Sequence, residues 1–193
     1  MGMEFELKYR ADDEVLQKLQ QAYAGPWQQI HMQTTYYDTP AGELSQRRYT
    51  LRRRFENGVS VCTLKTPAQG MGRGEWEVQS DDILEAIPEL CKLGCPQELL
   101  QLTHAGVEPI CGARFTRLAK IVCFMGSRIE LALDQGVLFC ADRERAFCEV
   151  EAELKEGTPE DAMVFGCQLQ RFYDLIPESK SKFRRALALR EEC

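Results

Sequence analysis

The stretch Cys148-Glu149-Val150-Glu151-Ala152-Glu153-Leu154 decides how the rest of the chain is read. Its strict alternation is the period of a β-strand. Glu149, Glu151 and Glu153 therefore share one face, opposite Val150, Ala152 and Leu154. Like charges crowded on one strand face repel, and a metal or an oppositely charged ligand relieves the cost. The competing account is a wet face of an antiparallel sheet. A wet face usually mixes both signs, so the decision rests on the other strands.

Several of them repeat the pattern. In Met3 to Arg10, Glu4, Glu6 and Lys8 alternate with Phe5, Leu7 and Tyr9. Arg52 and Arg54 share a face of Tyr49 to Phe55, as Thr63 and Lys65 do in Val59 to Thr66. Glu75 and Glu77 pair the same way, and Arg117 stands within an otherwise largely apolar run. Glu130 begins the run Ile129-Glu130-Leu131-Ala132-Leu133-Asp134, and Asp134 ends it. One strand is purely acidic and another purely basic, which disfavours the wet face. Oxygen-rich walls suit hard divalent cations, and Arg and Lys suit phosphate.

Between these strands, Asn57-Gly58 is a strong hairpin signal, and Gly126-Ser127 and Gln135-Gly136 read as further turns. Asp12 caps a helix bearing Val15, Leu16 and Leu19, and Asp81 opens one bearing Ile83, Leu84, Ile87 and Leu90. Pro96 begins a short helix, Thr158-Pro159-Glu160 a long one ending near Tyr173, and Lys180 to Leu189 forms the last. The expected fold is α+β, a single domain over 1–193: a closed antiparallel β-barrel with helices packed outside. Closure removes exposed strand edges.

Composition narrows the function. The 193 residues carry a net charge of −6, against non-specific nucleic-acid binding. No apolar run approaches the roughly 18 residues of a membrane helix. The expectation is a soluble, cytoplasmic protein. The nine cysteines fit no zinc motif and read as reduced, mostly buried thiols. Gly70 to Gly74 lacks a phosphate-loop pattern and reads as a connector. Trp27 and Trp76 read as packing, and His31 and His104 as bystanders.

The ordered set Glu4-Phe5-Glu6-Leu7-Lys8, Leu51-Arg52-Arg53-Arg54, Thr63-Leu64-Lys65, Glu130 to Gly136, Cys148 to Leu154 and Ser181-Lys182-Phe183-Arg184-Arg185-Ala186 resembles the CYTH family, the triphosphate tunnel metalloenzymes. The resemblance is nearest to bacterial inorganic triphosphatases. It implies a tunnel of about eight strands that binds a linear triphosphate with Mg²⁺ or Mn²⁺. It implies hydrolysis of a small-molecule triphosphate by a monomer or homodimer, inorganic triphosphate giving pyrophosphate and phosphate. Thiamine triphosphatase, class IV adenylate cyclase and a non-catalytic polyphosphate or nucleotide binder stay open.

By that resemblance Glu4, Glu6, Glu149, Glu151 and Glu153 are metal ligands. Lys8, Arg52, Arg54, Lys65, Arg117, Lys182 and Arg185 bind the substrate, and Lys8, Glu6 and Glu151 are catalytic. Relatives often carry a second basic residue where this chain has Ala119. Lys120, one step on, should face the other way. Arg73, Arg114 and Lys180 are the candidates to replace that contact.

Overall fold

The computed structural model describes residues 5–67 and 74–190. The chain begins with β1 (Glu6–Ala11), α1 (Asp13–Ala22), β2 (Gln28–Asp38) and α2 (Glu43–Gln46). β3 (Thr50–Glu56), β4 (Val59–Lys65) and β5 (Glu75–Gln79) precede α3 (Ile83–Lys92) and α4 (Glu98–Leu102). Three long strands follow: β6 (Glu108–Phe124), β7 (Ser127–Cys140) and β8 (Arg143–Glu156). α5 (Pro159–Tyr173), β9 (Ile176–Pro177) and α6 (Lys182–Ala188) complete the fold. Its α+β class is as expected. The described residues form nine strands, in the hydrogen-bonded order β5-β4-β3-β2-β6-β7-β8-β1-β9.

Turn chemistry sets the hairpins. Asn57 (φ 45°) and Gly58 (φ 97°) join β3 to β4 with Glu56 opposite Val59. Positive φ at both central residues matches the right-handed twist of the strands. Met125 (φ 50°) and Gly126 (φ 93°) turn β6 into β7, one residue before the expected pair. The turn expected at Gln135-Gly136 does not occur: β7 runs straight through both. Gly136 is outside the positive-φ glycines, so a residue permissive for turns here sits in extended backbone. The reversal falls at Ala141 (φ 51°) instead. Asp82, rather than Asp81, caps α3, accepting from the Leu84 N–H at 2.7 Å. Leu84 itself is exposed and does not join the apolar face.

The chain forms two compact units. The first comprises Met1–His31, Phe115–Leu138 and Arg145–Ser181. Its core gathers Tyr9, Ile129, Leu131, Leu133, Val150 and Ala152 from the strands with Leu16, Leu19, Phe165 and Leu169 from α1 and α5. α5 lies close on β1 because Gly166 has no side chain. A Cβ there would meet Leu7 Cδ1 at 2.3 Å and the Tyr9 hydroxyl at 2.5 Å. The helix thus seals the apolar face of β1 and leaves the other face to the charged residues.

The second unit comprises Met32–Arg114, Phe139–Glu144 and Lys182–Cys193. Its core packs Leu51, Cys62 and Leu64 of β3 and β4 against Ile83, Ile87 and Leu90 of α3 and Leu99 of α4. The buried Asp38 anchors the start of α2, accepting from the Leu44 N–H at 2.9 Å and the Ser45 N–H at 3.1 Å. The eight described cysteines are all free thiols, and Cys91 and Cys95 lie 3.4 Å apart at sulfur. No helix among the described residues is long and apolar enough to cross a membrane.

Candidate functional site

In the first unit, β1 and β8 pair antiparallel with Glu6 opposite Glu153, Lys8 opposite Glu151 and Arg10 opposite Glu149. Directly opposed residues project to the same side of a sheet. This is the side away from Tyr9, Val150 and Ala152, and three acids are buried on it. Glu149 and Asp134 are 0% exposed and Glu151 is 7% exposed. A wet face is thereby ruled out at these three positions.

Arg117 of β6 ties the acids together. Its Nε donates to Asp134 Oδ1 at 2.7 Å and its Nη2 to Asp134 Oδ2 at 2.8 Å. The same Nη2 also donates to Glu151 Oε2. Burial alone would lower the guanidinium pKa. The hydrogen bond to Asp134 and the charges of Glu151 and Asp134 outweigh it, and the pKa lies well above its ordinary value. Farther along β8, Lys155 bonds Glu153 at 2.7 Å and reaches Glu130 at 3.6 Å. Burial works against the Lys155 charge, but the Glu153 hydrogen bond and the Glu130 charge raise its pKa.

Asp134, Glu149 and Glu151 each bring a carboxylate oxygen within 4.8 Å of the others. The donors are hard, anionic and buried, which fits Mg²⁺ or Mn²⁺ in place of a thiophilic metal. Asp134 was not expected in this group, because the expected turn at Gln135 made it a strand end. The alternation from Glu130 to Asp134 was the signal that placed it on the charged face. Glu6 and Glu153 sit at the next register position along the same face. Glu4 lies outside the described residues.

The second unit presents a different face. Arg52 stands opposite Thr63 and Tyr36, Thr63 opposite Glu77, and Lys65 opposite Glu75. Lys65 pairs with Glu75 at 2.8 Å, and the Thr63 hydroxyl donates to Glu77 at 3.0 Å. The Nε atoms of Arg52 and Arg54 are buried with no hydrogen-bond partner among the described residues. Burial, then the charge of Arg54, lowers the Arg52 pKa. Arg53 points to the opposite face and donates to the Asp81 carbonyl at 2.6 Å. Phe183 of α6 packs on Tyr36, the residue opposite Arg52, with ring centroids 4.9 Å apart, and Lys182 and Arg185 belong to the same short helix.

Ala119 is buried. Lys120 faces the other way, as expected, donating to the Tyr23 carbonyl at 3.0 Å and lying 5.6 Å from the Trp27 ring. Arg114 pairs with Glu144 at 2.5 Å, so it is already engaged. The amide N–H of Lys180 donates to Glu178 at 2.8 Å. Arg73 lies outside the described residues, as does most of the expected Gly70 to Gly74 connector. His31 bonds Gln29 and Thr116, and His104 bonds the Gln101 carbonyl, apart from either charged face.

The chain is 31% identical over 166 residues to an inorganic triphosphatase of Haemophilus influenzae, covering 84% of this chain and 47% of that protein. It thus spans about half the length of that relative. Its fold is similar to that of a Hippeastrum protein described as an adenylyl cyclase candidate with dominant triphosphatase activity. There the TM-score is 0.66 at 22% identity, over 96% of both chains. An adenylate cyclase candidate from Bacillus halodurans shares the fold at TM-score 0.63 and 17% identity, over 95% of this chain and 96% of that one. A sequence profile of the CYTH domain matches residues 2–187, and the chain belongs to the CYTH domain family.

Proposed function

We propose that this protein is a cytoplasmic, metal-dependent triphosphatase that hydrolyses inorganic triphosphate to pyrophosphate and phosphate. The observation that carries the reading is the buried group Asp134, Glu149 and Glu151. Three carboxylates at 7% exposure or less carry more negative charge than the Arg117 guanidinium balances, and phosphate binding alone does not need them. The unpartnered buried Nε atoms of Arg52 and Arg54 are the complementary signal, donors suited to phosphate oxygens. The inorganic triphosphatase of Haemophilus influenzae supports the substrate. The unbridged thiols suit a reducing compartment. The reading carries with it a single catalytic domain and the closed barrel that the family resemblance implies.

Asp134, Glu149 and Glu151 would hold Mg²⁺ or Mn²⁺, with Glu6 and Glu153 as further acids of the same face and Glu4 assigned by resemblance. When bound, the metal supplies positive charge against the phosphate oxygens. Arg52, Arg54, Lys65, Lys182 and Arg185 bind the polyanion and neutralise charge as pyrophosphate departs. Lys8 steadies the terminal phosphoryl group from its place opposite Glu151. Glu6 and Glu151 orient the attacking water and accept its proton. The water oxygen bonds to the terminal phosphorus as the bridging P–O bond breaks.

The test is a panel of inorganic triphosphate, ATP, thiamine triphosphate and longer polyphosphate with Mg²⁺ and Mn²⁺, assayed separately for phosphate and cyclic AMP. Phosphate release, greatest with inorganic triphosphate and dependent on the metal, is the expected result. Cyclic AMP from ATP would make the protein a cyclase. Binding of every anion without turnover would make it a binder.

A further inference from the structure

Arg117 occupies an unusual place for a phosphate ligand. Its fork is closed on Asp134 through Nε and Nη2, and the Nη2 group is shared with Glu151. Nη1 takes part in none of these bonds. Asp134 has both oxygens in the fork and is 0% exposed, so it is the anchor. Glu151 holds Arg117 by a single shared contact and is the most exposed of the three acids. It is the exchangeable partner.

We infer that Arg117 is a built-in counter-ion that a divalent metal must displace from Glu151, linking metal occupancy to phosphate binding through one guanidinium. The inference rests on the metal-dependent reading above. A cation held by Asp134, Glu149 and Glu151 competes with the Arg117 Nη2 group for the Glu151 carboxylate. It also sets positive charge beside a buried guanidinium, and like charges at such a site repel strongly. Arg117 keeps its anchor on Asp134 and turns its remaining N–H groups toward an incoming anion. The metal thereby creates a donor for phosphate. By linkage, phosphate on Arg117 strengthens the metal in equal measure.

The test uses the full chain and the metal alone. Mg²⁺ and Mn²⁺ affinities are measured by calorimetry for the wild type, Arg117→Gln and Arg117→Lys. The Arg117 Nε–Hε signal of ¹⁵N-labelled wild type is followed during Mg²⁺ addition. The expected result is that Arg117→Gln binds metal about tenfold more tightly, the scale on which a neighbouring charge shifts a buried site. Arg117→Lys should stay near wild type, and the wild-type signal should move with Mg²⁺ occupancy. Affinity for non-hydrolysable imidotriphosphate should rise with Mg²⁺ in the wild type and much less in Arg117→Gln. Equal metal affinities with an unmoved Arg117 signal overturn the inference while leaving the triphosphatase reading in place. Absence of metal binding in all three proteins overturns both. Where Arg117→Gln fails to fold, the wild-type spectrum decides.

Discussion

The two charged faces are built from the same strand alternation and arranged in opposite order. In the first unit the acids lie deep: the Asp134 side chain is 0% exposed, Glu151 10%, and the single guanidinium among them 14%. In the second the cations lie deep, Arg52 at 10% and Lys65 at 13%, with Glu75 and Glu77 farther out at 31% and 52%. The first face balances part of its charge internally, through the Arg117 fork. The second pairs Lys65 with Glu75, but the Nε atoms of Arg52 and Arg54 are buried with no hydrogen-bond partner among the described residues. A buried polar atom without a partner is costly, so a face that keeps two of them is arranged for something else. The difference teaches that depth along a strand matters as much as sign. The proposed function reads the first face as the cation site and the second as the anion site.

The sharpest way to break the comparison is Glu151→Gln, which keeps the shape and removes a deep charge. We expect a loss in turnover of about a thousandfold, several kcal/mol of transition-state stabilisation. Glu153→Gln, at a position already paired with Lys155, should cost only about tenfold. Phosphate release across a metal titration measures both. Equal losses would erase the distinction between the deep acids and the rest of β8.

Next in size is the response to ligand. Imidotriphosphate at a hundredfold excess over its Kd should stabilise the fold by about 2.7 kcal/mol. The shift in thermal midpoint should be largest with Mg²⁺ also present, and small with orthophosphate. Additive, uncoupled shifts from metal and anion would count against the metal-dependent reading.

The basic face can be tested residue by residue. Arg52→Ala removes a buried fork and should raise KM by about 10- to 100-fold, the worth of a charged hydrogen bond. Arg53→Ala loses one bond to the Asp81 carbonyl on the other face. It should cost about 1 kcal/mol in a denaturant melt and leave KM unchanged. Equal KM values for the two variants would return Arg52 to a merely structural role.

The smallest effect is absent at neutral pH. Burial, the first cause in each case, pushes the thiols of Cys62 up to about 11 and of Cys111 up to about 12, from an ordinary 9.0. In the unfolded chain they ionise near 9; in the fold they hold their protons. Their contribution is therefore fully present below pH 9 and lost as pH rises toward 12. The thermal midpoint should stay level to about pH 9 and then fall. The slope should be shallower in Cys62→Ala and Cys111→Ala. An unchanged slope in both would place the alkaline sensitivity elsewhere.

Much of this is legible in the sequence. Alternation assigned Glu149 and Glu151, Arg52 and Arg54, Thr63 and Lys65 to charged faces, because a strand's side chains alternate whatever it packs against. Asn57-Gly58 marked its hairpin because few other pairs accept positive φ at both positions. Asp134 entered the acidic group only through the tertiary structure. Gln135-Gly136 is compatible with both a turn and an extended strand, and neighbours off the local chain settle which. Periodicity likewise reports side and not depth. Glu151 and Glu153 have the same local pattern, yet one meets Arg117 from another strand and the other meets Lys155 two residues away. Which carboxylates are buried together, and which guanidinium they share, depends on strand pairing between residues far apart in sequence. Local propensity carries no information about that pairing.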